Sequence, residues 1–320
     1  MATMATMALS ALGLVAQTPK TAAISHTAEG HPDLQGLWTN ATITPLERMG
    51  STATVSDADA KAVEQKAAED LQNNDGASDS PLLRAAGSAG TGGYNMLFID
   101  RGSELTRVDG VKRTSLVIDP QDGKVPAMTP GGRTRGFASV AGTLTMFDTV
   151  KQRPLSERCL LAFGSSSGPP MLPVLYNNTY QIVQTPDSVM ILVEMVHDAR
   201  IVRLNSEHPP ANVKFWMGDS IGRWEGDTLV VDTTNFRDEV AFRGAGPAFH
   251  VVERFKRVSA NSILYRATME DPATWTKPWT LEYSFSSAAG PVYEYACHEG
   301  NYAMTDILGG ARKIESETKK

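Results

Sequence analysis

The feature that most constrains the fold of this chain is a succession of β-strand patterns between residues 180 and 297, separated by turn signals. The turn at Pro186 and Asp187 and the turn at residues 259–261 each lie between β-branched runs, which is the pattern of a hairpin. Several of these runs alternate apolar with polar residues, so each strand has one face on a core. About seven sequential strands, the last at residues 292–297, form an antiparallel meander, and closing the meander removes its exposed edges. The sequence therefore predicts a mainly β fold, an antiparallel meander that closes into a lipocalin-like (calycin) barrel.

The residues outside these strands predict two helices. Ser56 is a side chain of the N-cap type, and acidic residues follow it in the first turn of a helix at residues 57–71. A short amphipathic C-terminal helix is predicted at residues 302–314. We therefore expect residues 31–320 to form a single β-barrel-like domain whose N-terminal part (31–110) is irregular apart from its helix.

The N-terminal residues predict export. Residues 7–16 form a short apolar run that ends in small residues and precedes a polar segment, which is the pattern of a secretory signal peptide. We assign residues 1–30 to a signal-peptide remnant and linker and expect a periplasmic or secreted protein. A buried N-terminal helix is the alternative.

Charge and hydropathy argue against two classes of partner. The chain of 320 residues carries a net charge of −6 and no basic stripe, which argues against a nucleic-acid partner. No apolar run approaches the length of about 18 residues that a membrane-spanning helix needs, so no membrane span is predicted. We expect a small-molecule ligand or substrate as the partner and allow for a homodimer.

The two cysteines, Cys159 and Cys297, lie 138 residues apart. A single pair in an exported protein usually forms a disulfide, which we predict here. Two buried free thiols are the first alternative. A catalytic Cys297 beside His298 is the second, and it is disfavoured because neighbours on a strand point to opposite faces.

Polar side chains gather at two predicted strand ends, one at residues 194–200 and one at residues 298–302. Polar groups converge on a ligand at the mouths of barrels, and a histidine needs only a modest shift of its pKa to act as an acid or base near neutrality. The alternative is that these side chains only bond the backbone or pair with nearby charges. The predicted catalytic residues are His298, His197, Glu194 and Arg200.

Aromatic and polar side chains outside these catalytic candidates are predicted to contact the substrate. Tyr293 and Tyr295 share one face of their predicted strand and flank a cavity in this interpretation, although an aromatic pair on a strand is more often part of a core. The predicted substrate-binding residues are Tyr176, Asn177, Arg113, Trp224, Tyr293, Tyr295 and Glu299.

Metal and nucleophile motifs are weak. The sequence has no His-x-His, His-Glu-x-x-His or Cys-x-x-Cys spacing, so a metal site would have to assemble from distant strands. We therefore predict neither a metal nor a cofactor. Residues 164–168 match the Gly-x-Ser-x-Gly pattern around Ser166, but two prolines follow where a nucleophile elbow requires a helix.

Motifs spread over most of the chain resemble a family of exported bacterial proteins of unassigned activity. The resemblance implies export and a disulfide, and it implies no particular reaction. The motifs are PDLQGLW at 32–38, ERCL at 157–160, YNN at 176–178, EMVHDAR at 194–200, GRWEGDTLVVDTTNF at 222–236 and ACHEGNY at 296–302.

Three functions are consistent with these residues. The favoured one is a cofactor-independent lyase or isomerase that acts on a small apolar or aromatic molecule in a barrel cavity, with His, Glu and Tyr side chains moving protons. The first alternative is a non-catalytic periplasmic carrier of a lipophilic ligand, and the second is a metal-dependent hydrolase or oxygenase. The enzyme is favoured because a carrier does not need so many titratable groups at its strand ends.

Overall fold

The computed structural model describes residues 24–73, 99–162, 168–239 and 242–318. The predicted signal peptide and Ser166 lie outside the described residues, as does the side chain of His197. The strands in chain order are β1 (Gly36–Thr39), β2 (Thr54–Val55), β3 (Arg107–Val108), β4 (Val111–Arg113), β5 (Val117–Asp119), β6 (Thr179–Gln184), β7 (Ser188–Val193), β8 (Ala199–Leu204), β9 (Asp219–Glu225), β10 (Thr228–Thr234), β11 (His250–Ser259), β12 (Ser262–Glu270) and β13 (Trp279–Ser287). The α-helices are α1 (Asp57–Asn73), α2 (Pro130–Thr145) and α3 (Ala303–Thr318).

Nine of these strands form a closed barrel. The order around the wall is β1-β6-β7-β8-β9-β10-β11-β12-β13, and β1 closes it by pairing with both β6 and β13. Trp38 stands opposite Tyr180 on one side and Ser287 on the other. The predicted fold class is confirmed, including a helix in the N-terminal region and a C-terminal helix.

One neighbouring pair departs from the antiparallel pattern. β8 and β9 are parallel, with Val202 opposite Ser220, whereas the other neighbouring pairs of the barrel are antiparallel. A parallel pair needs a connection that returns the chain to the end of the sheet at which it began. Residues 205–218 make this return without a helix or a named strand.

The edge of β13 explains why one predicted strand does not form. Residues 292–297, predicted as the last strand, contain no strand. β1 pairs with β13 at Ser286 and Ser287, and β5 pairs with it at its other end, so this edge is already occupied. β1 comes from the segment 31–110, where its four residues are too few to give a recognisable pattern.

The predicted helix caps agree with the local geometry. The Asp59 backbone N–H donates to Ser56 Oγ at 3.2 Å, so Ser56 takes up one of the free donors at the start of α1. Asp57 and Asp59 lie in the first turn, where a negative charge is favourable. The C-terminal helix begins one residue after its predicted start and continues to Thr318.

The interior of the barrel is filled by every second residue of its strands, as the alternation of strand side chains requires. A groove of about 820 Å³ lies outside the wall instead, between residues 102–110 and the outer faces of β12 and β13. The wholly buried apolar side chains of the barrel include Ile182, Val189, Ile191, Val202, Val231, Val251, Phe255, Ile263, Leu281 and Phe285.

The predicted disulfide is present. Cys159 and Cys297 are bonded, with their Cα atoms 5.8 Å apart. The bond ties the turn before β6 to the segment between β13 and α3. Asn301 Nδ2 lies over the bridge, 3.0 Å from the Cys297 carbonyl oxygen and 3.6 Å from Cys159 Sγ.

Reduction of this disulfide is expected to destabilise the barrel. The bond closes a loop that contains strands β6 to β13, and loss of such a constraint on the unfolded chain lowers the free energy of unfolding by about 4–5 kcal/mol. Urea unfolding followed by tryptophan fluorescence, with and without reductant, measures the difference. A Cys159→Ser, Cys297→Ser double variant is the control. Its free energy of unfolding should equal that of the reduced protein and should not change when reductant is added. Equal stability of the oxidised and reduced proteins would contradict the prediction.

Candidate functional site

Polar side chains form a buried group inside one end of the barrel, the end at which β6 begins and β7 ends. Each is almost completely buried, and most are surrounded by the apolar residues of the same strands. We call this group the polar centre. Its members are Asn40, Tyr180, Arg200, Glu253, Tyr265 and Tyr283.

The central interaction is an ion pair between Arg200 of β8 and Glu253 of β11. Arg200 Nη1 donates to Glu253 Oε2, and Nη2 donates to Glu253 Oε1 at 3.1 Å, so the pair is bidentate. The two side chains are 3% and 0% exposed. Burial alone would lower the pKa of Arg200, but the charge of Glu253 and its hydrogen bonds raise that pKa overall. Arg200 therefore stays charged in an apolar interior.

Three phenol groups belong to the polar centre, and one of them bonds the ion pair. Tyr265 Oη donates to Glu253 Oε1 at 2.8 Å. Asn40 Nδ2 donates to Tyr180 Oη at 3.1 Å and to Tyr283 Oη at 3.0 Å. Burial is the largest cause of a raised pKa at each of the three phenols. They are therefore hydrogen-bond donors at neutral pH.

Met171 closes the polar centre from the end of the barrel. Its backbone N–H donates to Tyr265 Oη at 2.9 Å, and Tyr283 Oη donates to its carbonyl oxygen at 2.8 Å. Arg200 Nη2 contacts Met171 Sδ at 3.4 Å. The segment that carries this residue, 168–178, contains neither strand nor helix. The backbone N–H and C=O of a single residue from outside the wall thus bond two of the buried phenols.

Strand alternation places these groups in the interior. Glu253 stands between Val251 and Phe255 on β11, and Tyr265 occupies the corresponding kind of position on β12. Arg200 was predicted as a site residue from the sequence, whereas Glu253 and Tyr265 were not. The signal that could have found them is a polar residue at an inward position of an otherwise apolar alternation.

Several of the predicted residues lie together on the rim at the same end of the barrel. Glu194 Oε1 accepts a hydrogen bond from the Tyr293 backbone N–H at 3.2 Å. The rings of Tyr176 and Tyr295 stack with their centroids 6.5 Å apart. The Glu194 side chain is buried, whereas Tyr293 is exposed. The rim therefore combines a shielded carboxylate with an aromatic pair.

The backbone of the rim is strained. Asn177 and Val196 have φ values of 55° and 66°, in the left-handed region that disfavours a β-branched side chain. Val196 lies between Glu194 and His197 in the turn that follows β7. Partial burial, and then the negative charge of Glu194, raises the pKa of the nearby Asp100 carboxyl. Strain and altered acidity at one place are typical of functional sites.

The remaining predicted residues lie elsewhere. His298 and Glu299 are exposed beside the disulfide. Arg113 Nη2 lies outside the barrel wall, 3.7 Å from a carboxylate oxygen of β13. Trp224 stacks on a histidine ring near the chain's described N-terminal end, with centroids 4.5 Å apart. The structure therefore does not bring these residues to the polar centre.

A second titratable cluster lies on β8 to β11 and the connection between β8 and β9, and we call it the outer cluster. His208 Nδ1 contacts Asp219 Oδ2 at 2.7 Å, and His208 Nε2 contacts Asp232 Oδ1 at 3.1 Å. His250 Nε2 contacts the same Asp232 oxygen at 3.0 Å, and Arg203 Nη1 donates to Asp219 at 2.6 Å. Both nitrogens of His208 can donate only when its ring is protonated. The cluster fastens the connection between β8 and β9 to the sheet.

The described ranges contain neither a metal-binding cluster nor a membrane helix. No group of three or more His, Cys, Asp or Glu side chains within them could hold a metal ion. None of the helices in the same ranges has the length and apolar composition that a membrane span requires.

The outer cluster predicts a stability that depends on pH. The hydrogen bond to Asp232 raises the pKa of His250, and the charges of Asp232 and Glu270 add to this effect. The stabilisation from His250 is therefore full below the ordinary histidine pKa of about 6.5 and is lost as pH rises through the raised value. The same hydrogen bond lowers the pKa of Asp232, so the contribution of Asp232 is lost as pH falls through the lowered value.

We expect His250→Gln to lower the free energy of unfolding by about 0.5–1 kcal/mol at about pH 5.5 and by less at about pH 9, because the pair is partly exposed. Urea unfolding at the two pH values measures the difference. His26→Gln, at an exposed histidine outside the cluster, is the control. An equal loss at both pH values would count against the charged pair.

The ion pair predicts a non-additive double variant. Arg200→Met leaves the Glu253 carboxylate buried without its counter-ion, and Glu253→Leu does the same to Arg200, so each is expected to cost about 3–5 kcal/mol of unfolding free energy. The double variant should lose less than either single variant because no unpaired charge stays buried. Urea unfolding of the four proteins measures this coupling. Arg223→Met, in an exposed pair with Glu225, should cost less than about 1 kcal/mol. Additive losses would show that the two charges are not coupled.

Comparisons with known proteins give no guide to function, so a functional proposal rests on the geometry of the candidate site. No family model matches the chain, and neither a curated protein nor a solved structure matches it.

Proposed function

We propose that the protein is a cofactor-independent lyase or isomerase that acts on a small apolar or aromatic molecule at the polar centre. Glutamate and tyrosine side chains move the protons, and Arg200 fixes the position of the base. The protein is exported to the periplasm or secreted in this proposal. The disulfide supports export, since such bonds persist in oxidising compartments.

The observation that carries the proposal is a bidentate ion pair with three phenols inside an apolar barrel. Replacement of a buried ion pair by apolar side chains is often neutral or stabilising, so stability alone gives little reason to keep Arg200 and Glu253. Buried titratable groups with shifted pKa values are more frequent at functional sites than elsewhere. The strained rim at the same end of the barrel points in the same direction.

Glu253 is the base, and it acts through Tyr265. Tyr265 Oη accepts a proton from a C–H bond of the substrate, while its own proton passes along the 2.8 Å hydrogen bond to Glu253 Oε1. The C–H electron pair becomes part of a new double bond, and negative charge develops on the group that activates the substrate. Tyr283 donates a hydrogen bond to that group and stabilises the charge.

The fate of the proton on Glu253 decides the reaction type. Return of this proton through Tyr265 to a different carbon gives an isomerase. If a leaving group departs from the neighbouring carbon and takes up the proton held by Glu253, the reaction is that of a lyase. Both routes leave the charges of the ion pair as they began.

The proposal assigns the predicted catalytic residues to different places. Arg200 belongs to the polar centre. Glu194 and the tyrosines of the rim lie at the same end of the barrel as the polar centre, and in this proposal the substrate enters past them. His298 lies away from the centre and takes no proton-transfer step here. The side chain of His197 lies outside the described residues, so no step is assigned to it.

Deuterium exchange tests the proposal with probe compounds in place of the substrate. Small neutral aromatic compounds are incubated with the protein in D2O, and mass spectrometry with proton NMR detects exchange or conversion. We expect exchange with the wild type and a loss of about 100-fold or more in Glu253→Gln and in Tyr283→Phe, because each removes one group that acts in the transition state.

Tyr302→Phe is the matched control, since Tyr302 is an exposed tyrosine outside the barrel. Its exchange rate should equal that of the wild type, and circular dichroism verifies the fold of each variant. Compounds that bind without exchange or conversion would contradict the enzyme and support a carrier. Unchanged exchange in Glu253→Gln would contradict the assignment of the base.

A further inference from the structure

We propose that the substrate is a neutral carbonyl compound with a hydroxyl or N–H group on the carbon next to the carbonyl, and that it binds in the position of the Met171 backbone N–H and C=O groups. This inference rests on the proposed function for the site, and it adds the chemical class of the substrate. The polar centre and residues 168–173 together carry it.

The Met171 peptide shows which groups the polar centre accepts. Its carbonyl oxygen takes the hydrogen bond of Tyr283 at 2.8 Å, and its N–H gives a hydrogen bond to Tyr265 at 2.9 Å. These two groups are separated by one carbon atom, Cα. A molecule with the sequence H–O–C–C=O, or H–N–C–C=O, presents the same donor and acceptor. Its middle carbon then lies between Tyr265 and Tyr283, where the proposed proton transfer occurs.

The polar centre is under-satisfied while Met171 occupies it. Arg200 Nε and Asn40 Oδ1 are buried and have no hydrogen-bond partner among the described residues. Arg200 Nη2 also faces Met171 Sδ, and a thioether sulfur is a weak acceptor. A charged donor beside a weak acceptor is a poor arrangement in an apolar interior. A ligand oxygen near Arg200 improves it, so exchange of Met171 for such a ligand is favourable at this point.

The ligand is neutral because the charges of the centre are already balanced. Arg200 is paired with Glu253 through both carboxylate oxygens, and the Glu253 side chain is wholly buried. An anionic ligand adds a second negative charge without a second counter-ion, which is costly in an apolar interior. A hydrocarbon displaces Met171 but leaves the phenols of Tyr265 and Tyr283 without partners.

Asn178 attaches the C-terminal part of the segment that carries Met171 to the barrel. Asn178, at the start of β6, holds Val174 by accepting from its N–H at 2.8 Å and donating to its carbonyl oxygen at 2.9 Å. Residues 168–173 form no strand pairing with the wall. Exchange of the Met171 peptide for a ligand therefore breaks no sheet hydrogen bond and leaves the Asn178 attachment in place.

Binding of matched probes tests the ligand class. The probes are 2-hydroxyacetophenone, acetophenone, mandelate and toluene, which differ in donor, charge and carbonyl group. Calorimetry or NMR titration should give an affinity for 2-hydroxyacetophenone about 10-fold higher than for acetophenone, the effect of one net hydrogen bond, with mandelate and toluene weaker still. Tightest binding of mandelate would identify an anion site and overturn the proposal.

Variants identify the groups that make the discrimination. Tyr265→Phe should abolish the difference between 2-hydroxyacetophenone and acetophenone, and Tyr283→Phe should weaken both by about 10-fold while leaving toluene unchanged. Met171→Ala weakens the internal occupant and should increase the affinity for 2-hydroxyacetophenone. Met269→Ala, at another wholly buried methionine, is the matched control and should not. Discrimination that survives Tyr265→Phe would contradict the proposed placement.

The Met171 amide reports directly on displacement. In protein labelled with 15N-methionine, binding of 2-hydroxyacetophenone should accelerate hydrogen exchange of the Met171 amide, whereas a Met171 amide that stays protected in the complex would overturn the inference. If the probe binds as expected but the wild type exchanges no deuterium into any bound compound, the proposed reaction is wrong and the ligand class stands. If deuterium exchange occurs while the Met171 amide stays protected, the reaction stands and the ligand position is wrong.

Discussion

The packing of this barrel's interior depends on the ion pair between Arg200 and Glu253. A charge in an apolar interior needs a counter-ion and hydrogen bonds for its remaining polar atoms. Here the counter-ion comes from another strand, and Tyr265 supplies a further hydrogen bond from a third. None of these groups can be buried favourably on its own. Strands β8, β11 and β12 must therefore be in register together before the centre is stable, which couples distant parts of the chain through one contact.

The end of the barrel that holds the ion pair also holds the strained backbone and the disulfide. Cys159, Asn177 and Val196 all have positive φ values there. A β-branched residue such as Val196 keeps this conformation only where the surrounding structure holds it there. The closed wall and the covalent bond to Cys297 provide that constraint, because they fix both sides of the rim. The opposite end carries short turns between strands, such as the one around Gly226, together with the start of the connection at residues 205–218.

The sequence predicted what depends on local pattern and missed what depends on pairing. β6 to β8 and β10 to β13 were recognisable because an alternation of period two and turn residues are properties of neighbouring positions. β1 was not recognisable, since a four-residue strand has almost no pattern of its own. It forms because it can pair with the free edges of both β6 and β13. The parallel pairing of β8 with β9 is equally invisible in local pattern. Arg200 could be predicted as a candidate from its own cluster, but its partner Glu253 is 53 residues away and is selected only by register.

A filled barrel is compatible with a ligand site because the occupant of the polar centre is itself a peptide group. Exchange of Met171 for a ligand of similar polarity trades one set of hydrogen bonds for another, so the net free energy depends on small differences between the two. These differences in hydrogen bonding would determine which ligands the site selects. A ligand that offers Arg200 a better acceptor than a thioether sulfur binds more favourably than Met171 does. A molecule that leaves a phenol without a hydrogen-bond partner binds less favourably. At the proposed site, the Met171 backbone would therefore compete with the ligand and disfavour molecules that lack the matching donor and acceptor.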